Sequence, residues 1–89
     1  MTGLALSELT LKSIQAEATR ALALHGDHSM FGAAHTPHSR LAILVEEVGE
    51  VAHELTYDQG DRDNLVKELI QVAAMAASWV EHLEGTPPG

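Results

Sequence analysis

The sequence predicts an all-α fold. It reads as three main helices per chain, with a four-helix-bundle type core completed by oligomerisation. Leu, Ala and Glu dominate the composition, and all three are good helix formers. Aromatic residues make up only 3%, namely Phe31, Tyr57 and Trp79, which is too few for a typical β-sandwich or barrel. Apolar residues recur at helical spacing in three stretches, and no alternating strand pattern competes with them.

The first helix is expected from Leu4 or Ser7 to about His25, with Leu11, Ile14, Ala18, Ala21 and Leu22 on one face and Gly26 as its C-cap. A loop from Asp27 to Thr36 follows. Thr36 then Pro37 reads as an N-cap with proline in the first helical position. The second helix runs to Tyr57, with Leu41, Leu44, Val45, Val48, Ala52 and Leu55 as its expected core stripe. Asp58-Gln59-Gly60-Asp61 breaks it, and Asp61 or Asp63 can cap the third helix, which extends to about Leu83. On that helix Leu65, Leu69, Val72, Ala76, Trp79, Val80 and Leu83 share one face. Val66, Ile70, Ala73 and Ala77 form a second stripe more than 90° away. A helix apolar on two sides is buried on two sides, so a subunit interface is expected, against the plainer reading of an Ala-rich surface. The domain organisation is a single helical domain over residues 1–84 and a Pro/Gly tail over 85–89.

At 89 residues and 9.5 kDa there is material for one small core and no separate lid or cofactor domain. The chain has no cysteine, which excludes a disulfide scaffold, a thiolate zinc site and a cysteine nucleophile. Its net charge is −8 with five Lys and Arg, so a basic nucleic-acid-binding face is not expected. No apolar run approaches the ~18 residues of a membrane span, and no signal-peptide pattern opens the chain; the expected setting is the cytoplasm. An acidic chain that acts on phosphates needs a cation between its carboxylates and the substrate.

The second helix offers that chemistry. Glu46, Glu47, Glu50 and Glu54 lie opposite the expected core stripe, with Glu46/Glu50 and Glu47/Glu50 at spacings where like charges destabilise a helix unless something compensates. A solvated acidic face is the plain reading. Glu68 on the third helix argues otherwise, because it sits at the edge of the apolar face beside Val72, Met75 and Trp79, with Gln71 one turn on. A carboxylate aimed at a core is costly unless it is ion-paired, here to Lys67, Arg62 or Arg40, or bound to a metal. Two helices that each present oxygens at i, i+3 can surround a hard cation such as Mg²⁺.

The stretch from His35 to Trp79 resembles the MazG-like all-α nucleoside triphosphate pyrophosphohydrolases. The resemblance rests on "HTPHSRLAILVEEVGE", which holds Glu46-Glu47-Val48-Gly49-Glu50 as EExxE, and on Glu68-Leu69-Ile70-Gln71 as the downstream ExxD-like motif. It implies Mg²⁺, with Mn²⁺ as an alternative, held by Glu47, Glu50, Glu68 and Gln71. Glu46 and Glu50 would orient the attacking metal-bound water. The substrate would be an NTP or dNTP cleaved to the monophosphate and pyrophosphate, contacted by His35, Arg40 and Lys67. Dimers or tetramers are implied as well. One departure bears on the metal: Gln71 stands where the family has Asp, and its oxygen can ligate Mg²⁺ without adding charge. Cations for a triphosphate are also scarce, since Lys12, Arg20, Arg40, Arg62 and Lys67 are the whole supply. The alternative expectation is therefore a weak or inactive helical oligomer that binds a nucleotide, a metal or a partner.

His25, His28, His35 and His38 lie in or beside one loop. Their H-x2-H spacing admits a zinc reading, surface or capping roles, or one wall of a substrate pocket, with His35 at the family's position. Trp79 reads as core or as a base-stacking platform, and Tyr57 lies on the carboxylate side of its helix.

Overall fold

The computed structural model describes residues 5–30, 32, 35–57 and 61–85, with Tyr57 described by its backbone alone. Readings that involve Phe31, the Tyr57 side chain, the Asp58–Gly60 break or the tail after Gly85 fall outside the described residues. The fold is all-α: α1 (Glu8–His25), a 3-10 turn (Gly26–His28), α2 (Pro37–Tyr57) and α3 (Arg62–Glu84).

Local chemistry fixes the ends. Ser7 caps α1 by accepting from the Thr10 amide at 3.1 Å, so the helix starts after Ser7 and not at Leu4. Gly26 closes α1 at φ +52°, with its N–H on Leu22 O. Thr36 Oγ1 accepts from the Ser39 amide at 3.0 Å, the N-cap bond expected before Pro37. Asp61 caps α3 by accepting from the Asp63 and Asn64 amides, and Gly85 ends it in the left-handed region.

α3 is the central element. It packs against α1 on one side and α2 on the other, while α1 and α2 do not pack against each other. The result is a slab of 38 × 38 × 20 Å with a radius of gyration of 13.9 Å, against about 12 Å for a compact chain of this length. Its accessible surface is 6329 Å², some 1,300 Å² more than the ~5,000 Å² expected of a folded 9.5 kDa monomer. Among the described residues the buried apolar ones are Ala18, Met30 and Ala74, and no large side chain is fully buried.

The expected core stripe of α2 is corrected here. Leu41, Val45, Val48 and Leu55 are 50–60% exposed, whereas Arg40 and Glu54 are buried and Ile43 and Glu47 half-buried. At 100° per residue the inner set lies about 120° from the apolar stripe. Within one chain α2 has α3 as its helical neighbour, and it meets α3 through the mixed polar face. On α3, Leu69, Val80 and Leu83 of the first stripe and Val66 and Ala77 of the second are likewise exposed. The hairpin α2–α3 thus carries an uncovered apolar face on both helices.

Candidate functional site

Glu47 from α2 and Glu68 and Gln71 from α3 meet where the two helices pack. One terminal atom of the Gln71 carboxamide stands 3.0 Å from Glu47 Oε2 and 3.2 Å from Glu68 Oε2. Two arrangements satisfy that geometry. With Nε2 in this place, the amide donates to both carboxylates and bridges the helices. With Oε1 there, three oxygens face one another and need a cation among them. Adjacent oxygens of an Mg²⁺ octahedron are about 2.9 Å apart, from ligand distances of 2.0–2.1 Å. The amide bridge accounts for both spacings, which lie slightly above that octahedral edge; with Oε1 in this place the donors would all be oxygen.

The electrostatics of Glu47 agree with a site short of positive charge. Its carboxyl is pushed above the usual carboxylate range, first by burial and then by the charges of Glu68, Glu50, Glu46 and Glu17. Glu17, on α1, was not singled out in the sequence. It is held below the ordinary value, chiefly by its hydrogen bond from Arg20 at 2.6 Å and in smaller part by the charges of Arg20 and Lys67, while partial burial acts against them. The carboxylates that act on Glu47 come from all three helices. The only sequence hint for Glu17 was an acid on the α1 face next to Ala18 and Ala21.

Other expected residues are placed differently. Glu46 and Glu50 are exposed. Among the described residues no three His, Asp or Glu side chains stand together as a metal-holding group, so Glu50 does not join Glu47 and Glu68 as placed. Lys67 is exposed and within electrostatic reach of Glu17. Arg40 is 2% exposed, and its guanidinium donates to Met30 O, His35 O and Gly32 O. It clasps the α1–α2 loop to α2 and has no face left for a triphosphate. His35 belongs to the same clasp: Nε2 bonds His28 O, Nδ1 bonds Ser39 Oγ at 2.8 Å, and its ring meets that of His28 edge-on at 6.2 Å. A proton on Nε2 and an acceptor at Nδ1 satisfy both contacts with a neutral ring.

A cavity of about 240 Å³ opens between α1 and α2 with α3 as its floor. Glu47 and Gln71 line it, and so do Glu17 and Arg20. The loop contributes His28, Ser29 and Met30, so part of the expected loop wall is present, while His35, Arg40 and Trp79 do not line the cavity. Trp79 is half-buried, and its Nε1–H has no partner among the described residues.

No family model, no curated protein and no solved structure matches this chain. Among the described residues no helix is long and apolar enough to cross a membrane.

Proposed function

We propose that the chain is a Mg²⁺-dependent nucleotide pyrophosphohydrolase that cleaves an NTP or dNTP to the monophosphate and pyrophosphate, working as a homo-oligomer. The observation that carries this reading is the meeting of the Glu47 and Glu68 carboxylates at the Gln71 carboxamide across α2 and α3, with Glu47 and Gln71 also lining a cavity. Glu47, Glu68 and Gln71 would hold the ion, with Glu50 completing the set from the next turn of α2. Bound there, Mg²⁺ supplies positive charge for the phosphoryl oxygens and acidifies water. The protein's own groups do the rest. Glu50, or Glu46 beside it, accepts the proton of the attacking water, and both are exposed to it. Arg20, which lines the cavity, and Lys67, whose charge reaches Glu17, would balance the outer phosphates, with Arg20 exchanging its Glu17 partner for phosphate.

Oligomerisation rests on the uncovered α2–α3 face. Leu41, Val45, Val48 and Leu55 on α2 and Val66, Leu69 and Val80 on α3 are each about half exposed or more. The surface excess of about 1,300 Å² exceeds the ~800 Å² that one partner buries in a standard interface. A second copy laid hairpin to hairpin would close a four-helix bundle.

A second reading, a nucleotide-, metal- or partner-binding oligomer without turnover, is favoured by the amide bridge, which satisfies both carboxylates with no cation, and by the loss of Arg40 to the loop. A pyrophosphate-release screen over NTPs and dNTPs in excess Mg²⁺ separates the two. Turnover that disappears in Glu47→Gln and falls at least a hundredfold in Glu50→Gln supports the hydrolase. Silence in the wild type with activity in Gln71→Asp supports the binding module, and silence in all of them removes the enzyme.

A further inference from the structure

Gln71 is the neutral member of the junction, and its carboxamide stands where two carboxylates converge. One terminal atom lies 3.0 Å from Glu47 Oε2 on α2 and 3.2 Å from Glu68 Oε2 on its own helix, both within the range of an N–H···O bond. Among the described residues no Lys, Arg or His forms an ion pair with either carboxylate. The Nε2 amide has two protons, one for each acceptor, so it serves there as a neutral stand-in for a cation. Hydrogen bonds to ionised acceptors are the strong class, and these two tie α3 to α2.

The same side chain has a second position. A half-turn about χ3 exchanges Oε1 and Nε2 without changing the shape of the group, and that torsion is broad and two-fold, so neither orientation carries rotamer strain. The turn removes both donors and sets a third oxygen against the two carboxylate oxygens. Positive charge must then hold the three together, and a divalent cation supplies it. Gln71 and Glu47 both line the cavity, which gives ions and water a route to the amide. An aspartate in this place has no N–H and is confined to the cation-dependent arrangement.

We infer that the Gln71 carboxamide is a two-position latch: Nε2 cross-links Glu47 and Glu68 without a cation, and a divalent cation turns the amide over and replaces that cross-link. The second position rests on the metal reading above; the first does not. The consequence is a threshold. A cation must displace two charge-assisted hydrogen bonds before it gains its third oxygen, so α2 and α3 stay joined at low divalent concentration and the ion is held weakly.

The test reads the side-chain amides of the full chain labelled with ¹⁵N. Gln15, Gln59, Asn64 and Gln71 are the whole set, and Gln71→Asp or Gln71→Met identifies the Gln71 pair by its loss. Gln15 is the internal reference, because its amide donates to Thr19 on the exposed side of α1. In EDTA the Gln71 Nε2 protons exchange with water at least about tenfold more slowly than those of Gln15. Mg²⁺ at tens of millimolar abolishes that difference, and K⁺ at equal ionic strength does not. Gln71→Asp melts below the wild type in EDTA and gains more from Mg²⁺, which it binds at least about tenfold more tightly. Gln71 protons that exchange like those of Gln15 in EDTA overturn the inference. So does protection that persists in Mg²⁺, which would make the amide a fixed brace, and so does protection that K⁺ removes equally. The two readings fail separately: amide switching without pyrophosphate release keeps the latch and sinks the hydrolase, and release with Gln71 protons that never differ from those of Gln15 does the reverse.

Discussion

Val45→Lys tests whether the apolar face of α2 is an interface. Val45 is 60% exposed within one chain, so most of its transfer free energy remains to be gained on association. Full burial of a valine stabilises by roughly 1.5–2 kcal/mol, so covering the rest contributes about 1 kcal/mol per chain, and a two-fold interface contains the site twice. A lysine there forfeits that and adds the desolvation of two ammonium groups, which snorkelling reduces to about 1 kcal/mol each. The sum is about 4 kcal/mol per dimer, or roughly a thousandfold in dissociation constant. In an isolated chain the same exposed substitution changes stability by no more than about 0.5 kcal/mol. Lysine also lowers the net charge of −8, so weaker association cannot be put down to added repulsion. Sedimentation equilibrium from 1 to 100 μM, with urea unfolding at the same concentrations and Glu81→Gln as a charge control, reads both quantities. Dissociation, or unfolding that becomes steeply concentration-dependent, is expected. A wild type that is monomeric at 100 μM, or a variant matching it in both mass and urea midpoint, refutes the reasoning.

Three further outcomes follow from the loop and the carboxylates. Gly32→Ala should destabilise by about 2 kcal/mol or more in urea unfolding, because a Cβ at that position would lie 1.9 Å from the Asp27 carbonyl oxygen, a backbone atom that cannot step aside. Arg40→Lys should cost about 3 kcal/mol, since one ammonium cannot reach the three carbonyls that the guanidinium serves; combined with Gly32→Ala it should fall short of additivity, because both release the same loop. Glu47→Gln should be more stable than the wild type at pH 7–8 in EDTA. The folded chain raises the Glu47 pKa, so that group's contribution is complete below its unfolded value and is lost as pH rises through the folded one. The gap between the two proteins should therefore close as pH falls toward 4.5. Glu17, whose pKa is lowered, acts in the opposite sense and only below 4.5. A gap that does not depend on pH contradicts this account of Glu47.

The helices and their caps were legible because capping is local: Ser7, Thr36, Asp61 and the glycines at 26 and 85 act within four residues of themselves. The approach of Glu68 and Gln71 to the second helix was legible for a similar reason, since a carboxylate at the edge of an apolar face has few places to go. Which side of α2 turns inward was not legible. Leu41, Val45 and Val48 form the better apolar stripe, and a hydrophobic pattern says that a face is covered without saying by which molecule. The role of Arg40 was hidden as well, because a guanidinium that serves loop carbonyls and one that serves phosphates look alike in sequence. Glu17 lies some thirty residues before Glu47, and no local rule connects them.

The inversion of α2 and the position of the carboxylates have one physical source. If Leu41, Val45 and Val48 packed against α3 within the chain, the face about 120° away that carries Glu47 and Arg40 would turn from α3, and Glu47 could not reach Glu68 or Gln71. Turning the mixed face inward brings Glu47 to α3 and leaves the apolar stripe uncovered. The polar junction is thus formed inside one chain, while the apolar stripe of α2 stays exposed. A substitution on the apolar face should then act on the carboxylates only through the fraction of chains assembled. A substitution at Gln71 should alter the junction with no change in mass. Sedimentation and the pH dependence of stability are separable readouts, and a variant that moves both together would show that the two faces of α2 are not independent.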